Sequence, residues 1–205
     1  MLEQKKRLLL YRLRKEMNGA ALDYMRYYGA DYERNYGVQI YALRDMAREI
    51  GVDHELACYF YGEAIREVRL VAVWIADAER VGVADFDFWA KGVINSEVAE
   101  QLAHALMSRV EAINELLDAW CGSDNALLAY TALLAASRNA NTDKECAKRA
   151  VLSAVERFSD NALIVRAATA LVTTLPPSDV AEIISSLPNS ATATSLREEV
   201  AWLCE

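Results

Sequence analysis

One five-residue segment occurs twice in the second half of the chain. Residues 123–127 and residues 159–163 both read Ser-Asp-Asn-Ala-Leu, at an offset of 36 residues. Each copy precedes an apolar run rich in Ala, Leu and Thr. Ser or Asp before such a run is typical of a helix N-cap, because the side-chain oxygen accepts a hydrogen bond from an amide of the first turn. The repeat therefore predicts two equivalent helices in successive structural units.

Weaker versions of this helix start occur elsewhere, at Asn95-Ser96 and Asn189-Ser190. The expected starts are separated by 34, 28, 36 and 30 residues, and they are Gly62, Ser96, Asp124, Asp160 and Ser190. Units of about 30–40 residues built from paired helices are typical of an α-solenoid, in which stacked neighbours bury a continuous core. Helical periodicity also runs through the first half of the chain. The sequence thus predicts an all-α protein, an α-solenoid of HEAT-like helical pairs.

Composition narrows the class of protein further. With 8 Gly and 3 Pro in 205 residues, the chain has too few turn-formers for a many-stranded sandwich or barrel. We find no linker or low-complexity segment, so the prediction is one domain over residues 1–205. The most apolar uncharged stretch, residues 125–137, is much shorter than the roughly 20 residues that span a bilayer. We therefore predict no membrane contact.

Location and cofactors are predicted from what the sequence lacks. We see no export signal, and the four cysteines lie far apart without a Cys-x-x-Cys pair, which favours reduced thiols and a cytoplasmic protein. The two histidines, His54 and His104, are 50 residues apart and have no ligand partners at a metal-binding spacing. No dinucleotide or phosphate-loop fingerprint occurs. We predict neither a metal nor a cofactor.

Tyrosines are concentrated near the N-terminus, close to Arg26 and Arg34. The cluster consists of Tyr24, Tyr27, Tyr28, Tyr32 and Tyr36. Tyrosines in this number can pack in a core. Beside arginines they can also stack on nucleobases or bind a peptide. Both interpretations remain open at this point.

Several short segments carry a family resemblance, and it is most specific in residues 17–77. They are Asp23-Tyr24-Met25-Arg26, Tyr36-Gly37-Val38-Gln39, Leu43-Arg44 and Ile65-Arg66-Glu67. In these segments the chain resembles the AlkD-type DNA alkylation-repair family. Its members are bacterial HEAT-like solenoids that excise positively charged alkylated purines. The resemblance implies a DNA glycosylase-like protein that acts on alkylated duplex DNA.

The family's functional residues carry over in part. Tyr24 matches the N-terminal tyrosine, and the catalytic aspartate falls near Glu100, where glutamate keeps the charge. The tryptophan before that aspartate falls at Ser96, the arginine near Tyr130 and the second tryptophan near Ala170. The resemblance thus implies a catalytic role for Glu100. It also implies nucleic-acid contacts from Tyr24, Arg26, Arg66 and Tyr130.

Two functions remain open. The resemblance favours an enzyme in which a carboxylate stabilises positive charge developing on the sugar. The positions where the chain lacks the family's tryptophans and arginine favour a non-catalytic HEAT-like scaffold that binds a protein or a nucleic acid. In addition, two glutamates spaced like Glu97 and Glu100 are common on an ordinary solvent-exposed helix face. The predicted second helices carry five arginines against seven acidic residues. Because duplex affinity comes from neutralising phosphates, broad contact with a duplex is not expected from such a surface.

Overall fold

The chain folds into helices and turns. The computed structural model describes residues 1–27 and 32–201, and these residues form thirteen α-helices with short 3-10 turns and one isolated β-bridge, between Arg34 and Ile65. The prediction of an all-α chain is confirmed. Contacts between residues group the chain into two compact units, Met1–Arg80 and Val81–Glu205. One domain over residues 1–205 stays a prediction.

The first unit is built around α5. Its helices are α1 (Leu2–Lys15), α2 (Gly19–Tyr27), α3 (Ile40–Ile50), α4 (His54–Tyr61) and α5 (Arg66–Ile75). Helix α5 packs against α3 and α4, and α1 contacts both α4 and α5. The sequence periodicity predicts a longer helix at α5, over residues 63–77. The helix is shorter at its start because Ile65, at its N-cap, is in extended backbone and pairs with Arg34.

The second unit consists of two layers of helices, after a short α6 (Phe86–Ala90). One layer contains α8 (Ile113–Cys121), α10 (Lys144–Arg157) and α12 (Pro177–Ser186), and α10 contacts both of its neighbours. The second layer contains α7 (Ser96–Ala105), α9 (Ala126–Ala136), α11 (Ala162–Val172) and α13 (Ala191–Val200). In this layer α9 contacts α7 and α11, and α11 contacts α13. Successive pairs therefore stack in sequence order within this unit, as the repeat predicts.

Helix α9 shows why the second layer is so apolar. It packs against α7, α8 and α11, so that residues 129–136 are all buried. A helix covered on three sides has no broad polar face, and an amphipathic stripe is therefore absent from its sequence. Burial of this kind supplies roughly 25 cal/mol per Å² of apolar surface, so the packing of α9 contributes to the stability of the unit.

Each second-layer helix begins after a capping side chain. The Asn95 Oδ1 accepts a hydrogen bond from the Val98 amide, and Asn125 and Asn161 accept from the amides of Leu127 and Leu163. Ser190 Oγ accepts from the Ala193 amide. The caps in the repeated segment are therefore the asparagines, one residue after the predicted starts at Asp124 and Asp160. Both residue types suit this position, and the backbone decides which side chain reaches the free amides.

Two predictions extend beyond the described residues. Tyr28, of the N-terminal tyrosine cluster, and Cys204 lie outside the described ranges. Within those ranges, no helix is long and apolar enough to cross a bilayer.

Candidate functional site

A carboxylate, a phenol and a guanidinium meet on the second layer. The Tyr130 hydroxyl donates a 2.8 Å hydrogen bond to Glu100 Oε1, and Arg166 Nη1 donates a 3.0 Å hydrogen bond to the same oxygen. Glu100 lies on α7, Tyr130 on α9 and Arg166 on α11, so that three adjacent helices each supply one side chain. We call these three residues the Glu100 cluster.

The three residues occupy the same position in their helices. Glu100 is the fifth residue after the cap Asn95, Tyr130 the fifth after Asn125, and Arg166 the fifth after Asn161. Because the helices start in the same way and stack side by side, equal positions along them come to lie next to one another. Ser195 is the fifth residue after the cap Ser190 on α13, and it lines a groove together with Arg166.

The cluster extends from the core to the surface. Tyr130 is completely buried, the Glu100 side chain is 27 % exposed and the Arg166 side chain is 62 % exposed. Burial and the hydrogen bond to Glu100 raise the pKa of the Tyr130 hydroxyl far above its ordinary value. This hydroxyl therefore stays protonated at physiological pH and acts as a permanent donor to the carboxylate.

One oxygen of Glu100 is left for other partners. Both hydrogen bonds go to Oε1, and within the described part of the chain no donor binds Oε2. An ionised carboxylate accepts hydrogen bonds at both oxygens and donates none. Since the side chain is partly exposed, Oε2 is available to water, to a sugar hydroxyl or to a developing positive charge.

A groove of about 450 Å³ adjoins the cluster on the side of α13. Arg166 forms part of its wall, with Asn161, Thr169 and Thr192 among the other lining residues. The buried Thr169 Oγ1 has no hydrogen-bond partner among the described residues. The groove thus offers, beside a guanidinium, a space large enough for one small polar group of a ligand.

Arg66, assigned to nucleic-acid binding from the resemblance, is buried in the first unit. Its Nη1 donates to the Val38 carbonyl at 2.9 Å and to Glu67 Oε1 at 3.2 Å, and both charged side chains are 0 % exposed. The Glu67 carboxylate in turn accepts hydrogen bonds from the backbone amides of Tyr36 and Val38. Arg66 therefore supports the segment before α3 and offers no surface to a ligand in this structure.

The remaining predicted residues have mixed placements. Tyr24 and Arg26 lie on α2 in the first unit, where Tyr24 is 64 % exposed and Arg26 is also exposed. Tyr130 contacts Glu100 through its hydroxyl, but its ring is buried, so it presents no aromatic face. The structure thus joins Glu100 to Tyr130, while Tyr24 and Arg26 belong to the other unit. Their roles stay predictions.

Arg166 is the residue that sequence reasoning missed. The resemblance places the family's arginine near Tyr130, where this chain has none, and the next arginine along the second layer reaches the carboxylate instead. Aligning the helices on their cap residues would have found it, because that alignment puts Glu100, Tyr130 and Arg166 at one position. Within the described residues, no group of three or more His, Cys, Asp or Glu could hold a metal ion.

Comparisons with known proteins agree with this architecture. One solved structure, described as belonging to "a new family of proteins related to the HEAT-like repeat DNA glycosylases with affinity for branched DNA structures", superposes with a TM-score of 0.71. The two chains are 17 % identical, and the superposition covers 96 % of this chain and 94 % of the other. The prediction of a HEAT-like fold is therefore confirmed. No curated protein matches the sequence.

A comparison with models of protein families identifies the family of this chain. The model described as "DNA alkylation repair enzyme" matches residues 9–173, which include the whole Glu100 cluster. This range covers well over half of the chain, and the resemblance seen in the sequence is confirmed. The chain belongs to the DNA alkylation repair enzyme family.

Proposed function

We propose that this protein binds DNA through the exposed side of the second layer, with the Glu100 cluster at the interface. The observation that carries the proposal is the cluster itself, because the hydrogen bond from Arg166 to Glu100 fixes the position of an exposed arginine. A guanidinium has five N–H donors, and one of them binds Glu100. The remaining donors of Arg166 can bind phosphate oxygens.

Charge favours a compact DNA feature over a long duplex. The net charge of the chain is −8, so it cannot neutralise many phosphates along a duplex. At a branch point several strands bring their phosphates close together, and a few oriented arginines then meet a high local density of negative charge. The structural neighbour is a protein with affinity for branched DNA. We therefore propose branched DNA as the preferred ligand.

A second contact is proposed on α2. Tyr24 and Tyr27 lie three residues apart on one side of this helix, and they are 64 % and 83 % exposed. Arg26 is exposed beside them. Exposed tyrosines next to a cation suit the stacking and phosphate contacts of a nucleic-acid surface.

The test is a binding experiment with a fluorescently labelled four-way junction and a duplex of equal length, over a range of salt concentrations. We expect tighter binding to the junction. The variant Arg166→Ala should weaken it and reduce the slope of log affinity against log salt by about one, because one phosphate contact is lost. Arg149→Ala is the matched control, since Arg149 is also 62 % exposed and ion-paired but lies in the other layer. Equal effects of the two substitutions would overturn the proposed interface.

A second candidate function, excision of cationic alkylpurines, is favoured by the unoccupied Glu100 Oε2. A positively charged base is already a good leaving group, so the protein need only supply a carboxylate near the sugar. Against this, Tyr130 is the only Phe, Tyr or Trp on α7, α9, α11 and α13 as described, and its ring is buried. The second layer as described therefore presents no Phe, Tyr or Trp ring on which a base could stack, and for this reason excision ranks second.

Base release from alkylated duplex DNA tests this candidate. If it is correct, the protein releases 7-methylguanine, and Glu100→Gln slows the release by about 10²–10³-fold because the charge at the sugar is lost. Tyr130→Phe, which keeps the carboxylate, should retain most of the activity. DNA binding without any release by excess protein would exclude excision and leave the binding function in place.

A further inference from the structure

A second candidate site lies in the first unit, between the last turns of α3 and α5. An open pocket of about 330 Å³ is lined by Arg44, Ala47, Arg48, Gly51, Val52 and Trp74. We call it the Trp74 pocket. The Asp53 amide donates a 2.8 Å hydrogen bond to the Ile75 carbonyl, which brings the segment after α3 alongside the end of α5. This hydrogen bond fixes the two segments that form one side of the pocket.

The pocket combines an aromatic face with two cations. Trp74 is half-buried, whereas Trp89 and Trp120 are buried in the second unit. Arg44 and Arg48 are exposed and lie one turn apart on α3, so their side chains project from the same face. The Arg44 guanidinium lies 5.6 Å from the centroid of the Trp74 ring. That distance is within the range of a cation–π contact, so the guanidinium lies over the ring.

These groups select the ligand by its chemistry. Two adjacent arginines repel cations and attract phosphate, and guanidinium groups bind phosphate oxygens in pairs. An indole face suits a flat aromatic ring. A nucleotide is the ligand that supplies a ring and a phosphate together, and the pocket volume is at the lower end of the range for small ligands. In a duplex both faces of each base are covered by its neighbours, so the ring must come from an unpaired nucleotide.

We propose that the Trp74 pocket binds an unpaired nucleotide of a DNA strand. The base stacks on the Trp74 indole, Arg44 turns from the ring to a flanking phosphate, and Arg48 binds the phosphate beside it. Arg48 can do so because its partner is the exposed Asp45, in a surface ion pair that contributes little to stability. This inference rests on the proposed DNA binding, and it adds a reason to prefer branched DNA, where bases at the branch lose their partners.

The experiment measures binding of a labelled hexathymidine strand by fluorescence anisotropy. Trp74→Leu should lower the affinity by about 5–150-fold, the range expected for one stacked base. Trp74→Phe, which keeps an aromatic face, should retain most of it. Arg48→Ala should weaken binding and reduce the salt slope by about one. Its matched control is Arg7→Ala, because Arg7 and Arg48 are 78 % and 76 % exposed and each pairs with a neighbouring carboxylate on its own helix.

Three outcomes would overturn the inference. One is a hexathymidine affinity that Trp74→Leu leaves unchanged. Another is an equal effect of Arg7→Ala and Arg48→Ala, which would show general charge attraction. The third is displacement of the strand by thymidine monophosphate at comparable concentration, which would assign the pocket to free nucleotides. Failure here is distinguishable from failure of the proposed function, because four-way junction binding and its dependence on Arg166 are measured separately and on the other unit.

Discussion

Glu67→Gln is expected to lower the free energy of unfolding of the first unit by about 3–5 kcal/mol. The substitution removes the negative charge that faces the buried Arg66 guanidinium, and both side chains are 0 % exposed. Because the Arg66 guanidinium is 0 % exposed, water cannot replace the lost carboxylate. The Glu67 carboxylate also accepts hydrogen bonds from the amides of Tyr36 and Val38. The segment before α3 therefore loses a charged hydrogen-bond acceptor at the same time.

Denaturant unfolding, combined with hydrogen exchange of residues 32–50, measures this effect. The control is Glu49→Ala, which breaks the ion pair between Glu49 and Arg12, two residues with side chains 62 % and 43 % exposed. An exposed pair contributes about 0–1 kcal/mol, so this variant should be nearly as stable as the wild type. If Glu67→Gln costs no more than Glu49→Ala, the buried pair does not stabilise the unit as we argue.

Gly37→Ala should destabilise the first unit by about 2–5 kcal/mol, from two separate causes. Gly37 has a φ of +70°, a conformation that costs other residues about 1–2 kcal/mol. A Cβ at this position would also lie 2.2 Å from the Asn18 carbonyl oxygen. The Asn18 amide donates a hydrogen bond to the Tyr36 carbonyl, and the Asn18 carbonyl accepts one from the Leu22 amide, so Asn18 cannot move without disturbing the start of α2.

Gly51→Ala separates the two causes. Gly51 has a φ of +75°, but a Cβ there would meet no atom within 4 Å. It therefore reports the backbone strain alone, about 1–3 kcal/mol. Denaturant midpoints of both variants, compared with the wild type, give the difference. We expect Gly37→Ala to be the less stable variant, and the reverse order would show that the contact with Asn18 relaxes at no cost.

The five-residue repeat shows which features of the fold can be predicted from the sequence of this protein. Helix starts are local features, because a capping side chain and the amides it satisfies lie within three residues of each other. The stacking order follows from the repeat, since each apolar helix needs a neighbour on either side. For this reason the second layer was predictable, and only the identity of the cap residue, asparagine in place of aspartate, was wrong.

The roles of individual charged residues were less predictable. Arg66 lies in a segment that resembles a DNA-repair family, and nothing in the sequence near it indicates burial. Its burial depends on residues 36–38, which fold over α5 and bring backbone amides to Glu67. Tyr130 was expected to face a substrate. In the structure its ring is buried in the core, and only its hydroxyl reaches the candidate site, where it binds Glu100.

The amino-acid sequence by itself thus determined the helical class, the repeat length and the family, because each of these depends on short local patterns that recur along the chain. The tertiary structure alone decided which side chains meet. Arg166 reaches a carboxylate 66 residues earlier, across α9, only because equivalent turns of successive helices are stacked in register. A contact of that kind depends on the packing between helices, and no local property of either residue encodes it.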